Sequence, residues 1–144
     1  DVIEHLDDDE SALTRAFDHI KPGGGAIITV PQHPSLWSEK DIGAFHKRRY
    51  TKSGLRNLLE KTGFTILRIT SFISFLMPAL FISRKLQTGS RHDDLFDEFS
   101  IPPVLNAICG KVCKLEGFFI KKGLSMPFGG SLMAIVKKPE RRHH

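Results

Sequence analysis

The feature that most constrains this chain is a short apolar run, Ala26-Ile27-Ile28-Thr29-Val30, framed by Lys21-Pro22-Gly23-Gly24 and Pro31. An unbroken apolar run of this length, without alternation, reads as a strand covered on both faces in a parallel sheet. Proline cannot continue a helix and the glycines accept positive φ, so the chain turns sharply into the strand. Upstream, Asp8 or Asp9 is placed to cap a helix N-terminus, and Leu13, Ala16, Phe17 and Ile20 follow at helical spacing. Helix, tight turn and buried strand is the unit from which α/β layer proteins are built.

A second such unit follows a polar loop over residues 32–50. Thr51 is placed as an N-cap, with Tyr50 and Leu55 at the positions of a hydrophobic staple. Leu55, Leu58 and Leu59 form the apolar face, Gly63 ends the helix, and residues 64–72, rich in Ile and Thr, predict a strand. The alternation then breaks. A charged stretch, residues 87–100, precedes a long helix starting at Pro102-Pro103, in which Val104, Leu105, Ile108, Val112, Leu115, Phe119 and Ile120 recur at helical spacing until Gly123. Residues 131–136 predict a last strand before Lys137-Lys138-Pro139. We therefore expect a partial Rossmann-like core over 1–76, a helical insert or cap over 77–124, a closing strand within 125–139, and a disordered tail or tag remnant over 140–144. The three readable strands make an incomplete sheet.

Composition narrows the function classes. The chain has 144 residues, 40% hydrophobic and 26% charged, which suits one folded domain. Its net charge of +5 comes from 21 basic residues interleaved with 16 acidic ones, and only His46-Lys47-Arg48-Arg49-Tyr50 joins basic residues to an aromatic, so nucleic-acid binding is not expected. Cys109 and Cys113 read as reduced core residues of the long helix; no CxxC pair or His/Cys cluster suggests structural zinc, and no metal site is assigned. No secretory leader is readable, which predicts a cytoplasmic protein. The apolar run over residues 73–82 contains Pro78 and has about half the ~20 residues of a membrane span, which leaves peripheral membrane contact open.

Four segments, in order, resemble the class I S-adenosylmethionine-dependent methyltransferases, in the broad family that includes the ubiquinone and menaquinone biosynthetic enzymes. Asp1-Val2-Ile3-Glu4-His5-Leu6 resembles the DVxEH segment that ends that family's fourth strand, and Ile20-Lys21-Pro22-Gly23-Gly24 resembles the turn before its fifth. His46-Lys47-Arg48-Arg49-Tyr50-Thr51, with Leu55, Leu58, Leu59, Gly63 and Phe64, resembles the HxRRY segment of one subgroup, and residues 131–139 its closing strand. The resemblance implies an α/β fold, the C-terminal half of a seven-stranded Rossmann-like sheet whose last strand is antiparallel, with residues 131–137 between 26–30 and 64–72. It also implies that the glycine-rich cofactor loop lies upstream of this chain.

The implied chemistry is methyl transfer from S-adenosylmethionine to a small, lipid-like or quinone-type acceptor. Asp1 and Val2 would lie by the cofactor, His5 and His33 would act as catalytic bases, and Glu4, Trp37, His46, Arg48 and Arg49 would contact the acceptor. Several alternatives stay open: Glu4 and His5 cap and orient the next helix, His33 is solvated, Trp37 covers a sheet edge, or Asp1, Glu4 and His5 hold a divalent cation as in some quinone-forming relatives. The run over 73–82 with Phe118-Phe119 would serve as a lid. With its cofactor half missing, the chain is expected to bind little S-adenosylmethionine alone. The rival from a different class is a non-catalytic oligomerisation or partner-binding module, a homo-oligomer formed through an exposed sheet edge.

Overall fold

The computed structural model describes residues 1–78 and 102–140. The chain passes through a 3-10 turn (Ile3–His5), α1 (Asp9–His19), β1 (Gly25–Pro31), a second 3-10 turn (Pro34–Leu36) and α2 (Glu39–Gly43). It continues through α3 (Lys52–Lys61), β2 (Thr65–Phe72), α4 (Pro103–Lys121) and β3 (Ser131–Lys137). The helix starts follow local chemistry. The Asp8 carboxylate accepts the Ser11 N–H at 2.8 Å and the Thr51 hydroxyl accepts the Gly54 N–H at 2.9 Å, each satisfying a donor that the first helical turn leaves over. After α1, Gly23 takes φ 77° to bring the chain back as β1.

The three strands form one sheet in the order β1-β3-β2, with β3 antiparallel to both neighbours, so β1 and β2 run parallel to each other. This is the reversed closing strand expected from the resemblance. The register pairs Ala26, Ile28 and Val30 with Val136, Ala134 and Leu132 on one face. On that face they meet Leu13, Phe17 and Ile20 of the α1 region, Leu55 and Leu59 of α3, and Phe64, with Ile66 and Ile69 from β2. Phe17 and Phe64 stack edge to face at 5.0 Å.

The opposite face corrects the sequence reading. Ile27 is 67% exposed and Leu67 61% exposed, so β1 is not covered on both sides. The reason lies in the layering: α1 and α3 pack on the same face, and no described helix lies over Ile27 and Leu67.

The long helix α4 is fastened to the sheet at its C-terminal half. Arg68 of β2 donates to the Ile120 carbonyl at 2.6 Å and to the Leu124 carbonyl, a cation placed where the helix dipole is negative. Glu116, buried in α4, accepts the Ser74 N–H with both carboxylate oxygens at 3.0 Å and the Phe75 N–H at 3.4 Å. Cys109, Val112, Glu116 and Ile120 therefore mark its inner stripe, whereas Val104, Leu105, Ile108 and Leu115, expected in the apolar face, are exposed. The expected burial of both cysteines is likewise corrected: both are unpaired thiols, Cys109 partly covered and Cys113 exposed.

At the end of β2 the backbone is tightly constrained. Ile73 adopts φ 60°, uncommon for a β-branched residue, and a Cβ at Gly129 would lie 2.3 Å from the Phe72 carbonyl oxygen. The charged stretch 87–100, the later part of the apolar run 73–82 and residues 141–144 lie outside the described residues. No helix among the described residues is long and apolar enough to cross a membrane.

Candidate functional site

A pocket of about 310 Å³ opens at the carboxyl ends of β1 and β2, the edge at which open α/β sheets bind ligands. Pro31, Leu36, Ile73 and Met77 contribute its apolar lining; Asp1, Glu4, His5, His46 and Arg49 bring polar side chains. The 3-10 turn Ile3–His5 enters from one side and the segment 46–50 from another. That segment is pinned to both neighbours: the Lys47 N–H donates to the Glu4 carbonyl at 2.8 Å, and the Tyr50 N–H to the Pro31 carbonyl at 2.9 Å.

The two histidines meet edge to face, with ring centroids 4.9 Å apart. His5 Nδ1 donates to the Phe45 carbonyl at 3.1 Å, and Phe45 is held at φ 57°. His46 Nδ1 donates to Asp41 Oδ1 at 2.9 Å. Those bonds fix each ring's tautomer, because a carbonyl or carboxylate partner requires a proton on Nδ1, and leave Nε2 as the basic nitrogen of each neutral imidazole. Glu4 is fully buried, and neither of its carboxylate oxygens has a hydrogen-bond partner among the described residues. His5 Nε2 lies 3.8 Å from Glu4 Oε1.

Asp41 organises this region. It accepts the Ser38 N–H at 2.9 Å as half of a capping box on α2, and its other oxygen takes the Arg49 Nε–H at 2.8 Å along with the His46 proton. Burial pushes its carboxyl pKa up, but the bonds from Arg49 and His46 outweigh that and hold it below the ordinary aspartate range.

The expected site residues separate into groups. Asp1, Glu4, His5, His46 and Arg49 line the pocket together, with the Asp1 backbone nitrogen 2.9 Å from the Thr29 hydroxyl. Val2, 65% exposed, does not line it, nor do His33 and Trp37. His33 instead precedes the second 3-10 turn at φ 62°, its N–H bonded to the Tyr50 carbonyl at 3.1 Å.

Both arginines are bound within the protein. Arg48 donates to the carbonyls of Leu6 and Asp7 and pairs with Asp9 at 3.1 Å, while Arg49 holds Asp41 and the Gln32 carbonyl at 3.0 Å. Their first role is to lock the 46–50 segment onto the 3-10 turn and the strand end. Sequence reasoning missed Asp41, although Ser38-x-x-Asp41 carries a capping-box signature. It also missed Leu36, Gly130 and Ser131, which no local pattern marks, whereas Ile73 and Met77 of the lining fall within the apolar run 73–82 that the sequence singled out.

No family model matches the chain. Over 67 residues, 45% of this chain and 26% of the relative, it is 31% identical to a protein of Mycolicibacterium smegmatis named a "probable S-adenosylmethionine-dependent methyltransferase". Among solved structures it is similar to phosphoethanolamine N-methyltransferase 2 of Haemonchus contortus in complex with S-adenosyl-L-methionine. That match has a TM-score of 0.53 at 17% identity, over 97% of this chain and 32% of that one. A SAM-dependent methyltransferase from Archaeoglobus fulgidus gives a TM-score of 0.50 at 18% identity, over 95% and 56% of the two chains. The chain thus has an α/β fold of the class I methyltransferase type, and it spans between about a quarter and just over half the length of these relatives.

Proposed function

We propose that this chain forms the acceptor side of an S-adenosylmethionine-dependent methyltransferase whose acceptor is small and lipid-like or quinone-type. The observation that carries the reading is a polar cluster, Glu4, His5 and His46, set beside the apolar surfaces of Pro31, Leu36, Ile73 and Met77 at the carboxyl end of a methyltransferase-type sheet. At about 310 Å³ the pocket lies at the low end of small-molecule sites, roughly 300–1,000 Å³, which suits one ring-sized acceptor better than a whole nucleoside cofactor.

Methyl transfer from a sulfonium needs alignment, exclusion of water and, for a hydroxyl acceptor, removal of a proton. S-adenosylmethionine would supply the methyl group from the Asp1 side of the pocket. The apolar surfaces of Pro31, Leu36, Ile73 and Met77 would hold the acceptor ring and keep water away. His5, its ring fixed through Nδ1, presents Nε2 as the base.

Calorimetric titration with S-adenosylmethionine tests this on two proteins. The product of the gene's complete reading frame is expected to bind the cofactor, and the 144-residue chain to bind it weakly or not at all. A complete product that lacks a glycine-rich strand–turn–helix ahead of Asp1 and binds no cofactor would sink the reading.

The uncovered sheet face around Ile27, Leu67 and Ile135 favours a second reading, a methyltransferase-derived association module. Light scattering that finds a monomer at all concentrations removes it.

A further inference from the structure

We infer that the outer side of α4 is a docking surface for an anionic lipid membrane, on which the helix lies flat. Val104, Ile108, Lys111, Leu115, Phe118 and Lys122 follow one another at alternating intervals of four and three residues, so they form one row along the helix. The inner stripe, marked by Cys109, Val112, Glu116 and Ile120, occupies a different side.

The apolar members of the row are open to solvent. Val104 is 73% exposed, and Ile108, Leu115 and Phe118 are each slightly more than half exposed. An aliphatic and aromatic strip left bare on a helix that is held by its other side marks an interaction surface. Phe119 carries that surface round to Phe75, with ring centroids 6.4 Å apart.

Charge points to the partner. Residues 102–128 contain four lysines, Lys111, Lys114, Lys121 and Lys122, and one acidic residue, Glu116. All four lysines are exposed and unpaired with any acid among the described residues. Glu116 is buried and taken up by the N–H groups of Ser74 and Phe75. Lys121 and Lys122 lie at the C-terminal end of the helix, where its dipole favours cations, but Lys111 and Lys114 lie mid-helix and have no such local role.

Lys111 separates a membrane from a protein partner, because it stands in the row itself between Ile108 and Leu115. In a protein groove its ammonium would be buried among apolar groups and would need an acid opposite it. A second copy offers none, since a twofold pairing of this face sets lysine against lysine. At a bilayer surface the same residue fits: its stem lies along the apolar side chains and its ammonium reaches the phosphate layer.

The surface also adjoins the pocket. Phe75 meets Phe119, while Ile73 and Met77, two residues to either side of Phe75, line the pocket. A membrane-bound α4 would bring the pocket beside the acyl layer, from which a lipid-like acceptor could enter. That role rests on the methyl-transfer reading, whereas the docking surface does not.

The test is co-sedimentation of the 144-residue chain with vesicles of phosphatidylcholine, alone or containing about 30% phosphatidylserine. Binding at least about tenfold tighter to the anionic vesicles, and weakened by salt, is expected. Each lysine near an anionic surface contributes about fivefold in affinity, so Lys111→Gln combined with Lys114→Gln should weaken binding about 25-fold. Leu115→Ser combined with Phe118→Ser leaves the charge unchanged and should weaken it at least about tenfold. All four positions are exposed, and circular dichroism checks that both variants keep the fold.

Equal binding to neutral and anionic vesicles, or binding to neither, overturns the proposal. So does vesicle binding that either variant leaves unchanged, which would place the contact on another face. Self-association abolished by the same variants, without vesicle binding, overturns it as well by assigning the face to a second copy. Anionic-vesicle binding that responds to both variants, in a protein whose complete form binds no S-adenosylmethionine, upholds the docking surface and rejects the transferase reading.

Discussion

Tyr50 donates its phenolic proton to Asp9 at 2.6 Å, a buried bond between groups 41 residues apart. Burial, and then the bond and charge of Asp9, raise the phenol's pKa well above its ordinary value of 10.0, so it remains a donor at any physiological pH. Tyr50→Phe removes the donor and leaves Asp9 paired with Arg48. A loss of about 1–3 kcal/mol is expected in urea unfolding. Asp8 gives a prediction of different form. The Ser11 hydroxyl and N–H hold its carboxyl below the ordinary value of 3.8 in the folded chain. A depressed folded-state pKa means that the cap's contribution is whole above the unfolded value and is lost as pH falls through the folded one. Asp8→Asn retains an acceptor for the Ser11 N–H, so it should match the parent at neutral pH. It should then lose less stability than the parent between about pH 4 and pH 2, which thermal midpoints across that range would check. The caps at Asp8 and Thr51 were legible because sequence neighbours make them. Glu4 and His5 were legible only through the resemblance of Asp1-Val2-Ile3-Glu4-His5-Leu6 to a methyltransferase segment, and the meeting of His5 with His46 depends on a loop 41 residues later and carries no local signal.

Among the elements, α4 departs furthest from its sequence reading. Apolar residues recur on more than one side of it, so periodicity alone could not choose its inner stripe. The choice falls to Glu116, whose carboxylate takes the N–H groups of Ser74 and Phe75 just after the strained Ile73. Glu116→Ala strands those donors at the wall of the pocket, and we expect it to cost about 2–4 kcal/mol in denaturant unfolding, with Glu116→Gln recovering part of the loss. By contrast, the ends of α1 and α3 follow their sequence signals to within a residue or two, because proline, glycine and capping side chains act locally.

For the molecule as a whole, the strand order came from resemblance and not from periodicity. Apolar runs locate three strands but do not say which is central; the register, with Ile27 opposite Ile135 and Ile28 opposite Ala134, is a long-range fact. The uncovered face around Ile27 escaped the sequence for a related reason, since an unbroken apolar run states an appetite for burial and not which neighbour satisfies it. The central place of β3 has a consequence in time. Gly25 pairs with Lys137 and Thr65 pairs with the same residue from the other side. On the ribosome β1 and β2 would emerge long before the strand that joins them. Each would wait with open backbone edges while residues 73–130 are still being made, a topology of high contact order that folds slowly and is exposed to mispairing. Synthesis thus runs opposite to assembly, and the newborn chain is most vulnerable just before β3 leaves the exit tunnel.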